Sequence, residues 1–352
     1  MTTPTRIAVL ESRESLGNGV YKLPFYRALH RAFPGCEITL IVSEGTSAAG
    51  AAKPLLGPLL ARVIQHAGIE KPRRRAIANI RALGPYDLVL DTRTSVANVL
   101  LTRLFLRCDR YVTSLPGFFL TRRPARRPRR SRHWVGRAMQ LIEVATGRPA
   151  DWRGAVDLDP GLREVAAALL PEGPTYVGFC CGASPFGAEV GRVWPLDRFI
   201  EAARQAAARG WTPVFMIGPD EAALVERLRT EVPEALFPEV DRTDGRPEIR
   251  GPMLAFALGE RLAAAVANDT GIAHLLANAG TPMVSLSGPT DSRRFLPWVS
   301  PVKAVRARDF GGGEDMRAIP VEAVVAAIGE LVAAGRNHPF DPDRARLKHP
   351  EH

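Results

Sequence analysis

Short apolar runs that end in glycine, asparagine or a carboxylate alternate with stretches of helical spacing, and they do so in two successive series. Ile7-Ala8-Val9-Leu10 opens the first series, and Leu23 to Phe33 follows with a helical repeat that stops at Pro34-Gly35. Ile38–Val42 and Asp87-Leu88-Val89-Leu90-Asp91 are later strand-like runs, and Gly17-Asn18-Gly19 reads as a turn. The second series brings Tyr176–Cys180, a helix from Pro195 to Arg209, and Pro213–Ile217 closed by Gly218. It continues with a helix over Leu254–Ala264, a short strand at Ala265–Ala267, another at Met283–Leu286 and a closing helix over Val321–Ala334. Strands buried on both faces read as continuous apolar runs, and their alternation with helices predicts parallel sheets covered on both sides.

The expected class is therefore α/β, with two Rossmann-like domains facing across a cleft. We place the N-terminal domain at 1–155, a linker at 156–172, the second domain at 173–335 and a polar tail at 336–352. The last helix is expected to pack back toward the N-terminal domain. A chain of 352 residues with 46% hydrophobic and 24% charged residues has material for two such cores. That balance excludes a disordered chain and a disulfide-stapled miniprotein. The cysteines Cys36, Cys108, Cys180 and Cys181 show no CxxC or metal-ligand spacing, and all four read as small buried hydrophobes in a reducing compartment. No apolar stretch has the length of a membrane span, and the start of the chain reads as a first strand, not a leader.

Neither half holds a GxGxxG or GxxxxGK[ST] loop, which disfavours a dinucleotide dehydrogenase and a P-loop kinase. The net charge is +10, and seven of the positive charges lie between residues 122 and 132: Arg122, Arg123, Arg126, Arg127, Arg129, Arg130 and Arg132. Without them the remainder is +3, so the excess is one patch. Its prolines predict an extended, solvated loop. The segment has no interleaved aromatics and no nucleic-acid-binding motif, so nucleic acid is not an expected partner. An anionic membrane face or a phosphorylated acceptor suits it, and so does a solvated insertion without a partner.

The most informative stretch runs Asn268-Asp269-Thr270-Gly271-Ile272-Ala273-His274, then Asn278-Ala279-Gly280-Thr281-Pro282, then Ser287-Gly288-Pro289-Thr290-Asp291. It sets a carboxylate, a hydroxyl and a glycine at a strand-to-helix junction, where amide donors and the helix dipole attract phosphate. The residues alone leave a second reading open, with Asp269 and Thr270 as helix caps and His274 as a core histidine.

This stretch resembles the C-terminal signature of the ADP-heptose:lipopolysaccharide heptosyltransferase family, glycosyltransferase family 9. Three further segments agree in order and spacing. Leu16-Gly17-Asn18-Gly19-Val20 with Lys22 and Pro24 is similar to the family's opening loop; Gly182-Ala183-Ser184 with Arg192-Val193-Trp194-Pro195 is similar to its donor loop; Gly218-Pro219-Asp220-Glu221 is similar to a strand-closing loop. The resemblance implies a GT-B fold and an inverting glycosyltransferase. Such an enzyme moves a sugar (heptose or related) from a nucleotide diphosphate sugar such as ADP-heptose to a lipid-linked saccharide, with no cofactor and no obligatory metal.

Carried over by position, the resemblance gives donor binding to Gly17, Ser184, Arg192, Glu221, Met253, Asp269, Thr270, Gly271 and His274. Arg192 stands where the family usually has lysine and would neutralise the leaving diphosphate, while Glu221 would meet the ribose. Pro252, Met253 and Leu254 would shape the base pocket. The resemblance also implies a cytoplasmic enzyme peripheral to the inner membrane, with the arginine segment on the acceptor side.

One position departs. The family's catalytic-base position is Asn18, and an amide cannot accept a proton at neutral pH; loss of a general base costs about 10²–10⁴-fold in rate. Either Glu14 or Glu11 substitutes, or Asn18 positions an acceptor activated otherwise. The alternative is a catalytically impaired binding or scaffold protein of surface-polysaccharide assembly.

Overall fold

The structure, a computed structural model, describes the chain except residues 1–3, 13–15, 51, 71–73, 116–120, 122–129, 153–157, 183–190, 243–245, 247–248, 300 and 336–352, and except the side chains of 16–18. It divides into two compact units, residues 1–154 and 155–352.

The first unit runs β1 (Arg6–Glu11), α1 (Leu16–Tyr21), α2 (Leu23–Ala32), β2 (Glu37–Val42), α3 (Lys53–Leu56), β3 (Arg62–Ile64), α4 (Arg74–Ala82), β4 (Tyr86–Asp91), α5 (Val96–Phe105), β5 (Cys108–Thr113) and α6 (Trp134–Thr146). Its five strands are parallel in the order β3-β2-β1-β4-β5. The central strands β1 and β4 are buried on both faces, which is why their middle residues, Ile7–Leu10 and Leu88–Leu90, are wholly apolar. Where a turn was expected at Gly17-Asn18-Gly19, the backbone forms the short helix α1.

The second unit runs α7 (Pro160–Leu169), β6 (Thr175–Cys180), α8 (Leu196–Ala207), β7 (Trp211–Phe215), α9 (Val225–Glu231), α10 (Pro252–Gly259), β8 (Ala264–Asn268), α11 (Gly271–Asn278), β9 (Met283–Ser287), α12 (Ser292–Phe295), β10 (Val302–Arg306) and α13 (Val321–Ala334). Its parallel sheet has the order β10-β9-β8-β6-β7. Phe179, Trp194, Phe199, Phe215, Val266 and Ile328 anchor its core.

The stretches expected as linker and as closing helix both hold helix. The stretch read as a linker holds the helix α7: Asp159 accepts the Gly161 N–H at 2.8 Å, Pro160 pre-sets the first turn, and Arg163 grips Glu260 through both Nε (2.8 Å) and Nη2 (3.1 Å). The closing helix α13 was expected to pack toward the N-terminal domain. Val324, Val325, Ile328 and Leu331 are buried against α8 and strands β8–β10 of its own unit, because those positions form a single apolar face. Among the thiols, Cys180 and Cys181 are buried as expected, whereas Cys36 and Cys108 are only half-buried.

Each sheet reverses direction once. In the first unit, β2 and β3 lie on one side of β1 while β4 and β5 lie on the other; in the second, β7 lies on one side of β6 and β8 to β10 on the other. Ligands of open α/β sheets bind outside the carboxyl ends of the strands at such reversals. These ends are Glu11 and Asp91 in the first unit, and Cys180 and Asn268 in the second.

Candidate functional site

In the second unit the reversal brings the loop after β6 beside the loop after β8. Asn268, fully buried, ties them together: its Oδ1 accepts the Trp194 N–H at 3.0 Å, while its Nδ2 donates to the carbonyls of Cys181 (3.2 Å) and Gly182 (3.3 Å). The Trp194 indole donates to the Ile319 carbonyl at 3.0 Å, and Arg198 donates to the same oxygen. Arg192 therefore rises from a segment pinned at both backbone and side chain.

Asp269 and Thr270 follow β8 directly, and Gly271 opens α11. The Thr270 side chain makes no cap to the helix; its hydroxyl donates back to the Asn268 carbonyl at 3.4 Å. The Thr270 side chain thus caps no amide of α11; the Ala273 N–H bonds the Thr270 carbonyl at 3.2 Å, and the positive end of the helix dipole still favours an anion at this terminus. Burial pushes the Asp269 carboxyl above its ordinary pKa, against the opposing pull of the Thr290 hydroxyl and the Arg192 guanidinium. The Arg192 charge is within electrostatic reach of the Asp269 carboxyl. His274 sits one turn along α11 with Nε2 3.9 Å from Asp269 Oδ1. Burial depresses its pKa to about 4, so near neutrality it is an uncharged wall of the site and not half of an ion pair.

Glu221 comes from the loop after β7. Its carboxylate accepts the Gly218 N–H at 3.0 Å, and a Cβ placed on Gly182 would collide with it, so a side chain at Gly182 would displace the Glu221 carboxylate. Burial raises the Glu221 pKa, with the Gly218 amide opposing. Glu239 lies near enough to couple to it and is pushed to about 7, first by burial and then by Glu221. Cys181, pushed up to about 12 by burial, is an inert thiol in the same wall. Met253 is half-buried in the first turn of α10, beside the buried Leu254.

In the first unit, Glu11 at the end of β1 is 1% exposed and holds the Lys22 ammonium, while the Tyr26 hydroxyl donates to its other oxygen at 2.9 Å. Glu11 is thereby removed as a candidate base, since its lone pairs are committed to a buried cation and a phenol. Asp91 at the end of β4 is likewise consumed: Arg93 reaches it with Nε at 2.9 Å and Nη2 at 2.7 Å, and the Tyr111 hydroxyl donates to it. Beyond these strand ends is a cavity lined by Lys22, Thr92, Thr94, Ser114, Arg130 and Arg137, floored by Trp134, Ala138 and Leu141. Its lining combines three cationic side chains, of which Lys22 is already held by Glu11, with three hydroxyls.

The structure therefore gathers Arg192, Glu221, Asp269, Thr270, Gly271 and His274 about one pair of strand ends. Glu14, Ser184, the Asn18 side chain and Arg122, Arg123, Arg126, Arg127 and Arg129 lie outside the described residues, as does the tail. Gly17 is described only as backbone in α1; Arg130 and Arg132 are exposed. Sequence reasoning missed Asn268, Thr290, Glu239 and the Lys22 cavity. Asn268 and Thr290 stood inside the quoted stretch, but nothing in it revealed the partners they meet.

Two units, each built on a parallel five-stranded sheet that reverses once, have the GT-B architecture. The chain aligns in three dimensions with a glycosyltransferase of family 9 from Veillonella parvula (TM-score 0.63, 18% identity, 95% of this chain and 99% of that one). It also aligns with E. coli heptosyltransferase WaaC with ADP (TM-score 0.61, 19% identity, 93% and 99%). In sequence it is 30% identical over 308 residues to lipopolysaccharide heptosyltransferase 1 of Pseudomonas aeruginosa, covering 80% of this chain and 79% of that protein. The model of glycosyltransferase family 9 (heptosyltransferase) matches residues 74–318. The chain belongs to that family and is a glycosyltransferase.

Proposed function

We propose that this enzyme moves a heptose or a related sugar, with inversion and without a metal, from a nucleotide diphosphate sugar to a lipopolysaccharide core or another cell-surface glycan acceptor. The observation that carries the reading is the Asp269-Thr270-Gly271 junction at the start of α11, with the Arg192 charge in electrostatic reach of the Asp269 carboxyl. ADP in the similar E. coli enzyme and the name of the P. aeruginosa relative favour ADP-heptose as donor and lipopolysaccharide as acceptor.

In this reading the acceptor hydroxyl oxygen attacks the anomeric carbon opposite the diphosphate. The bond from that carbon to the phosphate oxygen breaks, and its electron pair leaves on the diphosphate. Arg192 and the α11 amides meet that charge as it develops. Asp269 and Thr270 orient the sugar and diphosphate, Glu221 accepts from the ribose hydroxyls, His274 and Met253 wall the pocket, and Gly17 and Ser184 contact the donor. The hydroxyl proton goes to Glu14, while Asn18 orients the acceptor. The Lys22 cavity receives an anionic group of the acceptor. Its lipid anchor keeps the enzyme on the cytoplasmic side, peripheral to the inner membrane, with Arg122–Arg132 toward anionic headgroups.

Calorimetric titration with ADP, UDP, GDP and CMP tests the donor site. ADP should bind, and Asp269→Ala should abolish that binding; no binding of any nucleotide would end the donor-site reading. Turnover on intact acceptor then tests the chemistry. Glu14→Gln should lose about 10²–10⁴-fold in kcat with nucleotide affinity retained, and Asn18→Asp should equal or exceed the wild type. Unchanged turnover in Glu14→Gln removes Glu14 as the base. Nucleotide binding with no turnover at all would make this a binding protein of surface-polysaccharide assembly.

A further inference from the structure

Of the five large apolar side chains that stand exposed among the described residues, three share one helix: Val96 (45%), Leu100 (38%) and Leu104 (69%) on α5. They fall at i, i+4 and i+8, so they form one stripe about 12 Å long. The helix is not short of buried surface, because Val99 and Thr102 fill the core on the far side and Ile80 of the neighbouring α4 packs in the same cluster. The stripe is therefore surplus to folding.

Its surroundings are mainly cationic, with Asp109 the exposed acid near Arg107 in the chain. Arg74, Arg75 and Arg81 stand exposed on α4, Arg107 stands exposed just beyond α5, and Arg103 is half-buried beside the stripe. The Arg81 guanidinium lies 5.0 Å from the Phe105 ring centre, which holds a cation at the edge of the apolar face. Between Arg74 and Arg107 the acids are Asp87 and Asp91. Asp87 is taken by the N–H groups of Thr5 and Arg6, and Asp91 is buried with Arg93.

We infer that the outer face of α4 and α5 docks on an anionic bilayer surface, with Val96, Leu100 and Leu104 entering the boundary between headgroups and acyl chains and the arginines meeting lipid phosphates. Exposed apolar side chains ringed by cations have the composition of an interfacial helix. A second copy of the chain suits the face poorly. A three-residue stripe falls well short of the roughly 800 Å² per partner of a standard interface, and a two-fold contact would set the same arginines against one another. The inference goes beyond the proposed reaction, and it stands on helices distinct from the 122–132 segment.

The test is flotation of the full chain with vesicles of phosphatidylglycerol and phosphatidylethanolamine, and with vesicles of phosphatidylcholine. ADP calorimetry on every variant reports the donor site separately, so failure of the docking face and failure of the proposed reaction are told apart. The wild type should float with the anionic vesicles and release as salt rises. The double variant Leu100→Glu/Leu104→Glu should lower partitioning at least about tenfold with an unchanged thermal midpoint, and Arg74→Ser/Arg75→Ser/Arg81→Ser should lose the preference for anionic lipid. Three results would overturn the inference. The α4 and α5 variants could float like the wild type while only serine replacement of the seven 122–132 arginines releases the chain. Neutral vesicles could bind equally well. Sedimentation could show a dimer that Leu104→Glu dissolves.

Discussion

Arg192→Ala should lower kcat by about 10²–10³-fold while changing nucleotide affinity far less, and Arg192→Lys should recover most of the loss. The asymmetry follows from where charge changes. In the proposed reaction a bound nucleotide sugar meets the α11 amides from the start, but the departing diphosphate gains a negative charge only as the glycosidic bond breaks. A cation held in place before that moment stabilises the transition state more than the bound substrate. Asn268 and Ile319 fix the Trp194 backbone and indole two residues away, so Arg192 works from a rigid base. Steady-state kinetics against ADP calorimetry decides the matter. Equal losses in kcat/KM and in ADP affinity, with kcat unchanged, would make Arg192 a binding residue only.

Asp91→Ala should destabilise the first unit by about 3–5 kcal/mol, the cost of leaving a buried charge without its partner. Both side chains of the pair are 0% exposed. Burial opposes the Arg93 charge, and the Asp91 carboxylate more than restores it, holding the guanidinium above its ordinary pKa. Arg93 Nη2 also donates to Thr102 Oγ1 at 2.6 Å, and the Tyr111 hydroxyl closes the far side. Removing the carboxylate strands the guanidinium and the phenol together. The double variant Asp91→Leu/Arg93→Leu should lie closer to the wild type, because it removes the uncompensated charge along with the pair. It also removes Nη1 of Arg93, which finds no hydrogen-bond acceptor among the described residues. Urea titration with a probe in the first unit measures both variants, and two transitions are expected from two units. An Asp91→Ala midpoint within error of the wild type would refute the assignment.

Much of the fold was legible. Val321–Ala334 is a helix from its first to its last expected residue, and the strands at Ile7, Ile38, Asp87, Tyr176 and Met283 fall where the apolar runs put them. β3 and β5 were missed because Arg62-Val63-Ile64 is short and Cys108–Thr113 carries Asp109 and Arg110. Edge strands bury less and so announce themselves less. The expected linker hid α7, whose Ala-rich face becomes apolar burial only against α10.

The sequence by itself determined the two parallel-sheet units, the strand-to-helix junction at Asp269 and the family, because all three are written in local spacing. Only the tertiary structure decided that Asn268 ties three backbone groups from segments 74 to 87 residues away, that Glu11 serves Lys22 and Tyr26 instead of acting as a base, and that Lys22 shares a cavity with Arg137. Hydrogen bonds and charges act over a few ångströms in space, and the sheet reversal sets which distant residues come within that range.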